Sequence, residues 1–168
     1  MIPRGGFSMG EAVISDAAPC ARFVLRARVE ALPVVKGAFG VLPGVVPHRV
    51  VVESDRSALW LGPDEWLLLA PVSAAMDPIT DDAASVVDVG HRQVGLCVEG
   101  AGAADVLNAG CPLDLRLAAF GVGMCTRTIL GKAEIVLWRQ GPGRFHVEVA
   151  RSFAAYVRGA LDQALRDL

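Results

Sequence analysis

The sequence is short of the residues that usually announce chemistry. It has three histidines, His48, His91 and His146, spread across 168 residues, and its four cysteines, Cys20, Cys97, Cys111 and Cys125, are too far apart for a C-x-x-C pair. In a reducing compartment these cysteines read as small buried thiols, not zinc ligands. No H-E-x-x-H is present, which removes the simplest zinc-protease reading. Only 20% of residues are charged and the net charge is −2, so nothing draws the surface to nucleic acid or anionic lipid. No uncharged apolar run approaches the roughly 20 residues that cross a bilayer. Met1–Gly10 has no apolar core of a secretory signal, and the expected location is the cytoplasm.

What the chain has in excess is aliphatic residue. The apolar fraction is 53% and the mean hydropathy +0.44, which excludes disorder. Two readings fit: an Ala/Val/Leu-rich core, or a large apolar surface covered by partners. The low charge favours the second. The length suits one domain able to bury a core without disulfides. Residues 1–20 are expected to be loosely structured, with a short helix around Gly10–Ala17, and residues 21–168 to form a single domain.

Along that domain, Arg22–Val29 reads as a strand, with Phe23, Leu25, Ala27 and Val29 on one face and Arg22, Arg26 and Arg28 on the other. Residues 33–49 are rich in proline and glycine and read as a long loop, followed by a strand at Arg49–Glu53. Ala58–Ala70 reads as a hairpin turning at Gly62-Pro63-Asp64-Glu65, and Pro71–Ala84 as a second loop. Ser85–His91 and Val94–Glu99 look like a strand pair, Gly100–Asn108 like a helix. Strands are expected at Met124–Leu130, Lys132–Arg139 and Arg144–Val149, then a terminal amphipathic helix, Arg151–Leu168, capped by Ser152. Its stripe is Phe153, Val157, Ala160, Leu161, Ala164, Leu165 and Leu168. Many hairpins and few helices predict an α+β fold, a largely antiparallel sheet with packed helices.

Candidate sites are weak. Gly100-Ala101-Gly102 lies between strand and helix, but Asp105 stands where a dinucleotide fingerprint needs a third small residue. Gly131-Lys132-Ala133 lacks the hydroxyl and upstream glycine of a P-loop. His146 falls on the polar face of its strand and reads as solvated, and Asp64 and Glu65 as turn acids. Asp88, His91 and Arg92 form the most polar cluster beside an apolar strand. No catalytic, cofactor-binding or metal-binding residue is assigned.

Several segments together resemble the gamma subunit of heterotetrameric sarcosine oxidase. They are Leu61-Gly62-Pro63-Asp64-Glu65-Trp66-Leu67-Leu68, Val87-Asp88-Val89-Gly90-His91-Arg92, Leu107–Leu115, Gly123–Thr128 and Arg151-Ser152-Phe153-Ala154. They stand in the family's order across residues 58–168; residues 1–57 match weakly. That family is itself similar to the folate-binding domain of the glycine-cleavage T protein. Asp88-Val89-Gly90-His91 is similar to the T protein's D-V-S-H run, with Gly90 in place of serine. The T protein's acidic pair falls on Ala133-Glu134 here, which leaves Glu134 as a vestigial folate-site residue.

The resemblance implies a small, non-catalytic subunit, inactive alone, with alpha, beta and delta partners. The complex would demethylate sarcosine oxidatively to glycine, giving hydrogen peroxide and 5,10-methylenetetrahydrofolate. FAD, FMN, NAD and tetrahydrofolate would be held by larger subunits, none by this chain. The alternatives are a free-standing folate-binding one-carbon protein, or the same subunit in a related N-methyl amino-acid dehydrogenase. Candidate partner contacts are Asp64, Glu65, Trp66, Asp88, His91, Arg92 and Arg127, polar or aromatic groups at turns and strand ends.

Overall fold

A computed structural model describes residues 11–74, 76–79 and 81–168. Its elements are strands β1 (Ala12–Asp16), β2 (Cys20–Ala27), β3 (Val50–Glu53), β4 (Arg56–Gly62), β5 (Glu65–Pro71), β6 (Ala84–Asp88), β7 (Gln93–Gly100), β8 (Cys125–Leu130), β9 (Ala133–Gly141) and β10 (Arg144–Ala150), with helices α1 (Leu32–Phe39), α2 (Ala103–Asn108) and α3 (Ala154–Asp167). They form two five-stranded antiparallel sheets, ordered β1-β7-β10-β9-β8 and β3-β4-β5-β2-β6. The fold is α+β, as expected, but with two sheets where one was foreseen.

Period-two alternation sorts the side chains into layers. On β10, Phe145, Val147 and Val149 pack with Ile135 and Leu137 of β9 under Val106 of α2 and Val157 and Leu161 of α3. On the second sheet, Leu25, Trp66 and Leu68 pack under Leu32, Val35 and Phe39 of α1. The remaining faces meet each other: Leu59, Leu67 and Leu69 from the second sheet against Cys125 and Trp138 from the first. The order is helices, sheet, sheet, helix. Along one edge the sheets join, where Arg49 bridges Met124, Val50 donates to the Gly123 carbonyl at 3.0 Å and Cys125 to that of His48 at 2.9 Å.

Several expectations are corrected. The helix expected around Gly10–Ala17 is absent from residues 11–17: Ala12–Asp16 is an edge strand, because Ala12 and Ile14 alternate into the core with Val13 turned out. The rest of the N-terminal segment, residues 1–10, lies outside the described residues. Residues 33–39, expected as part of a loop, lie in helix α1. Pro33 sits in its first turn, where a missing N–H costs nothing, and Gly40 ends it at φ 89°. The presumed pair Ser85–His91 and Val94–Glu99 is split between sheets: β6 pairs with β2, and β7 with β1 and β10. Ser152 makes no cap; a 3-10 turn over Arg151–Phe153 precedes α3, and Phe153, Leu165 and Leu168 stay exposed beside a narrower stripe of Val157, Leu161 and Ala164.

Candidate functional site

The same alternation that points Phe145, Val147 and Val149 toward the helices points His146 and Glu148 toward the second sheet. His146 is therefore not solvated but buried, 7% exposed, with Glu148 at 1%. Arg22 of β2 crosses the interlayer space. Its Nε donates to Glu148 Oε2 at 2.7 Å and its Nη1 to the Cys20 carbonyl at 2.9 Å. His146 Nε2 lies 2.7 Å from Glu148 Oε1. Burial pushes the Glu148 carboxyl up, but the hydrogen bonds from His146 and Arg22 outweigh it and hold the group below its ordinary value. An ionised carboxylate only accepts, so the hydrogen of this contact belongs to His146 Nε2. Gly95 stands opposite Glu148 on β7. A Cβ there would come within 2.9 Å of the Glu148 carboxylate and 2.8 Å of Arg22 Nη2. The glycine makes room for the ion pair.

Beside this network the sheets part into a cleft of about 500 Å³. The β1–β2 connection, the β3–β4 turn and the end of β5 form one wall; Cys97, Trp138 and His146 line the other. Cys97 pairs across the ladder with His146, which suggests a nucleophile and its base. The electrostatics oppose it: burial and the neighbouring Glu99 carboxylate push the Cys97 thiol up. Cys20 is also raised, first by burial, and Cys125 is pushed up to about 12. None is an activated thiol. Among the described residues, no three His, Cys, Asp or Glu side chains converge as a metal would require, and no helix is long and apolar enough to cross a membrane.

The sequence-derived contact candidates divide. Asp64, Glu65 and Arg127 come together with Arg26. Arg26 meets Glu65 at 2.7 Å and Asp64 at 3.2 Å, and Arg127 binds both Glu65 oxygens. The Arg127 hydrogen bond, against some burial, holds the Glu65 carboxyl low. Trp66 is a correction: it is fully buried beneath α1, and its indole N–H donates to the Gly44 carbonyl at 2.8 Å. Asp88, His91 and Arg92 are exposed, but their side chains do not bond one another among the described residues. Asp88 Oδ1 accepts the Gly90 N–H at 2.8 Å, and the His91 carbonyl accepts from Arg151 Nε at 2.9 Å. Glu134 is exposed beside a fully buried Ala133, and its charge reinforces the protonated state of Arg127.

A dinucleotide does not fit the Gly100 turn. The space a Cβ would take at Gly100, φ 123°, is already held by the backbone of Glu11 and Ala12, and Gly143 packs on the Gly100 carbonyl. The glycines here admit neighbouring chain, not a pyrophosphate.

Sequence reasoning missed Arg22, Gly95 and Glu148 as one constellation, and also Arg139. That arginine is 2% exposed and donates to the carbonyls of Phe120 and Leu115 at 2.6 and 3.0 Å, lying over the Phe145 ring. The only local signal was a charged residue recurring on strands with an otherwise apolar face.

Comparison with known proteins places this geometry. Residues 29–166 match the family model described as sarcosine oxidase, gamma subunit family. The chain is 31% identical over 147 residues to sarcosine oxidase subunit gamma of Corynebacterium sp. (strain P-1), covering 80% of this chain and 72% of that protein. It is 32% identical over 120 residues to the counterpart in Corynebacterium sp. (strain U-96), covering 68% of this chain and 58% of that protein. Among solved structures, a chain of heterotetrameric sarcosine oxidase from Corynebacterium sp. U-96, in complex with pyrrole 2-carboxylate, superposes with a TM-score of 0.82 at 27% identity, over 93% of this chain and 84% of that one. The glycine cleavage system aminomethyltransferase T from Bartonella henselae shares the fold, with a TM-score of 0.66 at 16% identity over 90% of this chain and 45% of that one. The chain belongs to the sarcosine oxidase gamma subunit family.

Proposed function

We propose that this member of the gamma subunit family assembles with alpha, beta and delta subunits into a cytoplasmic heterotetrameric sarcosine oxidase and is itself non-catalytic. The complex oxidatively demethylates sarcosine to glycine, with hydrogen peroxide and 5,10-methylenetetrahydrofolate as products. FAD, FMN, NAD and tetrahydrofolate belong to its larger subunits. The superposition on a chain of such a heterotetramer over 93% of the present chain carries this reading. The filled Gly100 turn, the raised thiols, and Ala133 and Glu134 at the place of the T protein's acidic pair support a scaffold role. Residues 21–168 act as one domain, to which β1 adds an edge strand. Asp64, Glu65 and Arg127, with the exposed corner Asp88, His91 and Arg92, are the proposed contacts with other subunits.

Co-expression with the alpha, beta and delta chains tests the assembly. A single four-chain complex producing peroxide from sarcosine is expected, and omission of this chain should disrupt it. The chain alone should be colourless and inactive; a yellow, active preparation would overturn the reading. Calorimetry with tetrahydrofolate should give no heat of binding, and micromolar binding would favour a free-standing folate protein instead. An Arg92→Ala variant should weaken assembly, and unchanged assembly would remove that corner from the interface.

A further inference from the structure

We propose that the cleft between the sheets binds a small organic ammonium ion with an apolar body. At about 500 Å³ the cleft lies within the range of small-molecule sites. Two buried polar groups face it without a partner among the described residues. Ser57 is 7% exposed and sits on the face of β4 turned toward the first sheet, because its neighbour Ala58 packs toward α1. The second is His146 Nδ1. With Nε2 on Glu148, Nδ1 is the ring nitrogen left to face the cleft. A hydrogen-bonding ligand in the cleft would give each a partner.

The sign of the ligand follows from the rim. Asp16, Asp55 and Glu99 line the cleft against one guanidinium, Arg144. Arg144 is tied to Glu99 at 2.9 Å and to Gln140 at 3.0 Å, and Asp16 shares an exposed contact with Arg158 at 3.3 Å. Asp55 has no ion partner among the described residues. An anion would meet three carboxylates; a cation meets a free carboxylate at the mouth and the Ser57 hydroxyl oxygen deeper in. The Trp138 ring adds an aromatic face that attracts an ammonium group, and Leu69 and Pro71 supply apolar wall.

Benzylammonium is a suitable probe, with benzyl alcohol as its neutral isostere and phenylacetate as its anionic one. Titrated into the full chain, benzylammonium should shift the Trp138 indole and His146 ring resonances saturably and bind at least about tenfold more tightly than the alcohol. Asp55→Asn, at an exposed turn outside the core, should weaken binding severalfold, and Ser57→Ala should do the same without moving the Trp138 signal of the free chain. Equal affinity for the alcohol, tighter binding of phenylacetate, or indifference to Asp55→Asn would overturn the proposal. So would loss of benzylammonium binding in the assembled four-subunit enzyme, which would give the cleft to a partner's basic side chain.

Discussion

Two ionic clusters tie one sheet to the other, and they are opposites. Arg22 and Glu148, with His146, lie between the sheets, where the carboxylate side chain has no exposure at all. Arg26, Asp64, Glu65 and Arg127 do the same job at the surface, where both arginine side chains are 40% exposed or more. Distances are similar; the surroundings are not. The surface cluster loses little water on forming and gains little, about 0–1 kcal/mol per pair. The buried cluster has given up its hydration, so each charge depends on the other. Proximity alone does not measure an ion pair.

The largest effect should come from breaking the buried cluster on one side. Glu148→Ala leaves Arg22 charged and unpaired, and urea unfolding should show a loss of about 3–5 kcal/mol. Replacing both partners, as Arg22→Met with Glu148→Leu, should recover most of that loss; failure to recover would mean the space is wet. Gly95→Ala should cost about 1–3 kcal/mol through overpacking against the same pair, read in the same assay.

Acid separates the clusters next. Glu148 and Glu65 both titrate below their ordinary values. Their stabilisation is therefore present above the unfolded glutamate value of about 4.3 and is lost as pH falls through the lower folded values. In about 1 M salt the Glu65 part of that acid limb should shrink by screening while the Glu148 part persists; thermal melts between pH 5 and pH 2, at low and high salt, would separate them. The smallest effect is Glu65→Gln, at most about 1 kcal/mol at low salt and near zero at high salt. A loss as large as that of Glu148→Ala would collapse the distinction.

The same contrast explains what was legible in the sequence. The alternation of Phe145, Val147 and Val149 with His146 and Glu148 was plain, and so were the hairpin around Asp64 and the three closing strands. What covers the second face of a strand is not written in the strand. His146 looked solvated because the residue that closes its network with Glu148, Arg22, lies on a different sheet, 126 residues from Glu148. Trp66 looked like a surface anchor because its neighbours are turn acids, yet the alternation of β5 sends it under α1. Pro33 looked like a loop residue because proline punctuates loops and also opens helices. Glu65 and Arg127 were each singled out, but nothing local paired them.

The join between β3 and β8 gives the molecule a crease. Sheet order puts β1 and β6 at the far ends of their sheets, so the two leaves are stitched by backbone hydrogen bonds along one margin and tied at the other by the short connections 17–19 and 89–92. Swelling between them has a direction: it starts away from the crease and runs toward it. The amides of Val50 and Cys125, donors across that seam, are the last a swelling of that kind would release to solvent, and those of β1 and β6 among the first.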